Sequence, residues 1–249
     1  MDTNNIIEVK DLTVVYGDNV ILENVSFSIK RGEIFVIVGG SGCGKSTLLR
    51  QIIGLENPYS GSVLIDGENF SEASNEKRLR ILRKFGVLFQ SSGLFASMTI
   101  AENIALLLST YTKLPDEDIE EIIDLKLRAV GLDGYQSYIP SEISGGMKKR
   151  AALARAMALD PKILCFDEPS SGLDPVTSAA LDKLIIEFNQ LLGTTMLVVS
   201  HDLNSIYSIA HRVILLDKET KGIIAEGTPV ELKNMEHDKR VYNFFNRIA

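Results

Sequence analysis

The sequence predicts an α/β fold in which a mostly parallel sheet is covered by helices and interrupted by an inserted helical block. Two observations predict the sheet: a strand-to-helix switch at Lys45, and renewed strand–helix alternation after Pro161. A third predicts the insertion, because apolar residues between positions 93 and 160 recur at helical rather than strand spacing.

The elements follow in order. β-Branched runs separated by Gly and Asn turns predict strands over Ile6–Val9, Val25–Ile29, Ile34–Val38, Ser62–Ile65 and Gly86–Phe89. A helix from Lys45 to Ile53 interrupts them and closes at Gly54, where a left-handed cap is wanted. Lys77–Lys84 holds five basic residues in eight and reads as a solvated amphipathic helix. Pro115 followed by Asp116, Glu117 and Asp118 starts another, with carboxylates where the helix dipole favours them. Ile119, Ile122, Ile123, Leu127 and Val130 form its apolar face up to Gly131, and the acidic run 116–124 its solvated one. A further helix is expected from about Gly145 to Leu159, stopping at Asp160-Pro161. Strands return at Ile163–Phe166, Met196–Val199 and Val213–Leu216. Val241, Phe244, Phe245 and Ile248 make an i, i+3, i+4, i+7 stripe, read as a terminal helix docked on this domain, with a partner surface as the alternative.

Composition removes several function classes. The 249 residues carry 26 Lys and Arg against 33 Asp and Glu, a net charge of −7. That balance argues against nucleic acid as a partner and against anionic lipid bound through a polybasic face. No run approaches the roughly 18 apolar residues of a membrane span, and Met1–Asn5 lacks the basic start of a secretory signal. No direct membrane insertion is expected: the protein is read as cytosolic, or as bound to a membrane only through a partner. The two cysteines, Cys43 and Cys165, need no oxidising compartment, and no Cys/His cluster suggests a structural metal.

The chemistry begins at Gly39-Gly40-Ser41-Gly42-Cys43-Gly44-Lys45-Ser46-Thr47, a match to G-x-x-x-x-G-K-[ST] that follows a strand and opens a helix. Such glycines let successive backbone N–H groups turn inward around phosphate oxygens, and the helix N-terminus adds partial positive charge. Lys45 is suited to the β- and γ-phosphates of ATP and Ser46 to Mg²⁺. Ile163–Phe166 runs into Asp167 and Glu168; beside a phosphate loop, the first can hold Mg²⁺ through water and the second can polarise an attacking water. Cys43 reads as a small spacer, although a helix N-terminus could activate its thiol.

Three further features narrow this reading. Ser144-Gly145-Gly146-Met147 opens a helix about 20 residues before Asp167, Ser171-Gly172-Leu173-Asp174 follows the carboxylates, and His201 ends the strand Thr195–Ser200. With Gln90 after Val87–Phe89 and Tyr16 ahead of the phosphate loop, the order resembles that of the ATP-binding cassette (ABC) family from about Ile6 to Gly227. The resemblance implies a P-loop NTPase with a RecA-like parallel-sheet core, an N-terminal antiparallel β-subdomain and an inserted α-helical subdomain. It implies one ABC ATPase unit over 1–249: core and β-subdomain at 1–92 and 161–230, helical subdomain at 93–160, C-terminal helix and tail at 231–249. It also implies roles: Tyr16 stacks on adenine, Gln90 contacts Mg²⁺ and the attacking water, Glu168 is the general base, and His201 contacts the γ-phosphate. Ser144, Gly145 and Gly146 bind ATP held by the opposite copy of a head-to-tail homodimer, and Asp174 lines the interface.

The signature departs from the usual Leu-Ser-Gly-Gly-Gln: here Ile143 precedes it and Met147 closes it, followed by Lys148-Lys149-Arg150. With Thr112–Pro115, Lys126–Gly134 and Pro140–Arg155, the chain resembles the ATPases of Mla phospholipid-trafficking systems. That likeness implies a transmembrane permease, an MCE lipid-binding protein and a STAS-domain protein as partners, and a place on the cytoplasmic face of a bacterial inner membrane. Leu94, Phe95 and Met98 either pack the helical block or line the groove that receives the permease. Two other readings stay open: an ABC ATPase for a sterol, amino acid or other small molecule, and a soluble ATP-gated assembly factor.

Overall fold

The computed structural model describes residues 4–248. Met1–Thr3, part of the N-terminus that lacks a basic start, and Ala249, the end of the C-terminal tail, lie outside the described residues. The chain enters as two long strands, β1 (Asn5–Tyr16) and β2 (Asn19–Lys30), then the short β3 (Ile34–Gly39), whose exit turns into α1 (Lys45–Ile52). β4 (Ser60–Ile65), β5 (Glu68–Asn69), α2 (Asn75–Leu82) and β6 (Phe85–Leu88) follow. Helices α3 (Ile100–Tyr111), α4 (Asp116–Ala129) and α5 (Gly145–Ala156) come next, then β7 (Ile163–Asp167), α6 (Pro175–Leu192), β8 (Thr195–Val199) and α7 (Leu203–Ile209). The chain closes with β9 (Arg212–Asp217), β10 (Gly222–Gly227), α8 (Pro229–Lys233) and α9 (Lys239–Asn246).

Two sheets result. β1 pairs antiparallel with both β2 and β4, in the order β2-β1-β4-β5. The larger sheet runs β10-β9-β3-β8-β7-β6 and is parallel except for its antiparallel edge strand β10. Every residue of β3 and β8 is buried, which is why these strands read as unbroken apolar runs. Side-chain alternation divides them between two cores. Val36, Phe166 and Val198 face the helices of the insertion and α6, whereas Phe35, Cys165 and Leu197 face α1 and the antiparallel sheet.

Local chemistry sets the helix ends. Thr99 and Glu102 form a reciprocal capping box at the start of α3, and Asp174 caps α6 with Pro175 in its first turn. α5 stops at Ala156, so Leu159 lies beyond the helix expected to include it. The chain leaves through a turn ending at Asp160, whose φ of 47° cannot continue a helix. β1 runs on to Tyr16 because a register shift between Val9 and Leu12, with Asp11 at φ 48°, breaks the alternation without ending the pairing. The basic helix α2 is not simply solvated: Ile81 is buried, Arg78 lies over the Phe70 ring at 4.4 Å, and Arg80 and Lys84 bind Glu68 at 2.8 and 3.0 Å.

Asp66, in the turn between β4 and β5, clamps the two sheets. Its carboxylate pairs with Arg31, with Lys84 at 2.9 Å and with Lys162 at 3.0 Å, the last two standing just ahead of β6 and β7. Arg31, then Lys84 and Lys162, hold the Asp66 carboxyl well below the usual carboxylate range. Its stabilisation is therefore complete above the unfolded-state value of about 3.9 and is lost as pH falls through the lowered folded value. Asp66→Asn is expected to cost about 1–3 kcal/mol at pH 7. In denaturant titrations its gap from the unsubstituted protein should narrow below about pH 4.

Candidate active site

The site forms where β3 leaves the sheet. Gly39 has φ 151°, and a Cβ there would stand 2.4 Å from Leu216 O and 2.5 Å from Cys43 Sγ, so only glycine fits this turn. The loop climbs through Gly40, Ser41, Gly42 and Gly44 into α1, presenting the unpaired N–H groups of a helix start to a cleft of ≈ 690 Å³. Lys45 Nζ donates to Gly39 O at 2.9 Å and Gly40 O at 3.0 Å, which places the ammonium at the mouth of the loop. Thr47 lines the same cleft. Cys43 does not: its side chain is 2% exposed, turned beneath the loop, and burial pushes its thiol pKa up. A buried thiol with a raised pKa is a poor nucleophile, so Cys43 is a spacer.

Ser46 Oγ donates to Asp167 Oδ1 at 3.0 Å, joining the start of α1 to the end of β7. One residue on, Glu168 adopts φ 49°, held by its N–H donating to Val199 O at 2.9 Å and by Ser171 N–H donating to its own carbonyl at 3.1 Å. A left-handed glutamate costs on the order of 1–3 kcal/mol and turns the side chain out of the strand's alternation towards the cleft. Its Oε2 is buried without an aligned hydrogen-bond donor, although His201 Nδ1 stands only 2.7 Å away. Gln90 Nε2 donates to Ser171 Oγ at 3.3 Å. Behind these groups Lys149, 5% exposed, donates to Gln90 O at 2.6 Å and reaches Glu168 O at 3.5 Å. Burial lowers the Lys149 pKa against the opposing pull of Asp167 and Glu168.

Tyr16, 43% exposed, forms the outer wall. Its hydroxyl donates to Glu56 Oε2, which also accepts from Gln51 Nε2 at 3.1 Å; burial and then Glu56 raise the phenol pKa. Ile21 and Phe244 complete the cleft and were not expected there. Phe244 belongs to the C-terminal stripe, in which Val241 and Phe245 are buried while Ile248 is half exposed. Helical spacing marks one apolar face but not that its flank lines the same cleft as His201.

The remaining predicted residues lie apart from this cleft. Ser144 caps α5, its Oγ accepting from Met147 N–H at 3.3 Å, and Gly145 is exposed beside it. A Cβ on Gly146 would stand 2.4 Å from Thr177 Cγ2, so this glycine lets α5 approach α6. Asp174 accepts from Val176 N–H, Thr177 N–H and Thr177 Oγ1 at 3.0, 3.1 and 2.5 Å, so its carboxylate is engaged within its own helix start. Met147 packs partly against the core. Leu94 does likewise, whereas Phe95 is 52% exposed at an apolar groove with Leu82, Phe89, Leu107 and Tyr111. His211 Nδ1 accepts from Ile34 N–H at 3.1 Å, a packing role.

The donor set suits Mg²⁺. Ser46 Oγ and Asp167 Oδ1 already face each other, and a hydroxyl, a single carboxylate and the amide oxygen of Gln90 match a hard cation that keeps most of its water. Such an ion would neutralise charge on two phosphate oxygens.

A family model described as ABC transporter matches residues 22–171. An intermembrane phospholipid transport system ATP-binding protein, MlaF, of Haemophilus influenzae is 43% identical over 96% of this chain and 90% of its own. A probable ribonucleotide transport ATP-binding protein, mkl, of Mycobacterium leprae is 48% identical over 80% of this chain and 57% of its own. The dimeric post-hydrolysis structure of the ATP-binding cassette MJ0796 with ADP and Pi superposes with a TM-score of 0.81 at 31% identity, covering 89% of this chain and 98% of that one.

Replacing Lys45 removes the ammonium at the mouth of the loop. Lys45→Ala should weaken ATP binding roughly 10- to 100-fold with an unchanged melting temperature, which titration calorimetry and thermal denaturation check together.

Proposed function

The chain belongs to the ABC transporter family, and on that premise we propose that it is the ATPase subunit of a complex moving phospholipid between bacterial membranes. The observation that carries the engine is the Ser46–Asp167 bond at 3.0 Å, which brings the phosphate loop within reach of the left-handed Glu168. In this reading the N–H groups of 39–47 and Lys45 bind the phosphates of ATP, Tyr16 stacks on adenine, and Ser46, Gln90 and Asp167 hold Mg²⁺. Glu168 Oε2 takes a proton from water as its oxygen attacks the γ-phosphorus and the bond to the β-phosphate oxygen breaks. His201 orders the transferred group and Gln90 the water. A carboxylate oxygen with no aligned donor is suited to accept that proton.

Ser144, Gly145 and Gly146 lie away from the cleft of their own chain, which supports a role against a second copy. An exposed helix N-terminus capped by a serine suits the outer oxygens of a γ-phosphate bound by the opposite protomer. ATP then joins two head-to-tail copies, and hydrolysis releases them. Among the described residues no helix is long and apolar enough to cross a membrane. In this reading the chain associates with the cytoplasmic face of the inner membrane through a permease, with the exposed Phe95 groove as the contact, and with an MCE protein and a STAS-domain protein in the same complex.

The likeness to MlaF over 96% of the chain carries the cargo assignment. The likeness to mkl, at 48% identity over 80% of the chain, favours a second reading in which the same engine serves a different solute. Purification of the tagged chain from native membranes in mild detergent separates them: a permease, an MCE protein and bound phospholipid support the first. A permease without lipid supports the second, and recovery with soluble partners alone contradicts both. Glu168→Gln should keep ATP binding, lower turnover by about 10²–10⁴-fold and trap a nucleotide-bound dimer on size exclusion. Unchanged hydrolysis in that variant would remove Glu168 as the base.

A further inference from the structure

Lys149 belongs to none of the roles just given, yet it is the buried cation nearest the hydrolytic groups. It stands five residues into the segment opened by Ser144, on α5, and is 5% exposed. Its Nζ sits between the exits of two neighbouring parallel strands, β6 and β7, paired as far as Leu88 and Phe166. There it donates to Gln90 O at 2.6 Å and approaches Glu168 O at 3.5 Å. The short contact holds the Gln90 carbonyl through a charged donor, while the Glu168 carbonyl, which already accepts from Ser171 N–H at 3.1 Å, is approached more loosely.

The rest of α5 is fastened to the same loop. Arg155, six residues further along, donates to Gly93 O. Where β6 passes beneath, a Cβ on Gly86 would stand 2.1 Å from Ala156 O, so strand and helix meet backbone to backbone. The segment from Gln90 to Gly93 is thus held on α5 at two points, by Lys149 and by Arg155. Glu168 is reached by the longer of the two Lys149 contacts.

We propose that Lys149 is a positioning residue that ties the strand exits bearing Gln90 and Glu168 to the helix opened by Ser144. Displacement of α5 when its N-terminus meets phosphate then sets the place of the water and of its base. This inference rests on the roles of Gln90 and Glu168 proposed above. It accounts for a lysine within Lys148-Lys149-Arg150 being buried while its neighbours are only partly so.

The test uses the full chain in its native membrane complex, with steady-state ATP hydrolysis and melting temperature measured for three variants. Lys149→Met should lower kcat by roughly tenfold or more and leave KM for ATP within about twofold, because binding groups stay in place while the reacting ones lose alignment. Lys149→Arg, which keeps the charge and the reach, should restore most of kcat. Lys149→Gln keeps a donor without the charge and should show the same split as Met, deciding the matter should the Met variant not fold. A kcat within about twofold of normal in the Gln or Met variant overturns the proposal, as does a joint loss of kcat, ATP affinity and melting temperature that Arg fails to rescue. Glu168→Gln measured alongside keeps the two claims apart: full turnover there refutes the base assignment, while inactive Glu168→Gln beside normal Lys149→Met refutes only the positioning role.

Discussion

The hydrogen bond from Ser46 to Asp167 spans a gap that the sheet itself creates. β3 and β7 are not neighbours; β8 lies between them, so the phosphate loop and the carboxylate strand meet only because α1 starts directly over their common edge. Parallel strands in the order β9-β3-β8-β7-β6 bring their exits to one side, and glycines at the first exit let the chain turn back over its neighbours. The hydrolytic groups are arranged about that edge. Glu168 follows from β7, His201 from β8 and Gln90 from β6, so Glu168 lies about one strand spacing from each of the other two, on either side.

Burial supplies the rigidity this arrangement needs. β3 and β8 contribute side chains to both cores, so neither strand can slip without moving apolar groups on two faces. Local strain is concentrated where the chemistry is: Glu168 is held at positive φ by a backbone bond to β8. The antiparallel sheet shares the core of Phe35, Cys165 and Leu197 and is fastened in addition through Asp66 and the three cations around it. The outer wall of the cleft, with Tyr16, is therefore carried by a sheet whose electrostatic clamp is distinct from the packed centre.

What the sequence disclosed was mostly local. The phosphate loop is nine consecutive residues whose conformation depends on their own glycines, and Asp167 and Glu168 end an apolar run; both could be read without any long-range contact. Ile21 and Phe244 come from the far ends of the chain and meet only in the folded cleft, so no spacing rule reaches them. Lys149 is chemically indistinguishable from Lys148 along the chain, and only the packing of α5 on β6 selects it for burial. α3 left a usable signal in Thr99 and Glu102, the capping box that opens it, whereas β10 is a short edge strand bounded by glycines. The end of α5 is hidden in the sequence because Met157, Ala158 and Leu159 continue its apolar content through a turn.

A site completed only by a second copy is the claim on which function turns, and heterodimers test it directly. Two are prepared: one with Lys45→Ala in one chain and Ser144→Arg in the other, and one with both changes in a single chain beside an unchanged partner. Nucleotide occluded per dimer is then counted in a single turnover. Sites shared between chains predict one occluded nucleotide in the first heterodimer, whose two defects fall in the same site, and none in the second. The reverse pattern, with occlusion only in the dimer that retains an unchanged chain, would mean that each chain builds its site alone.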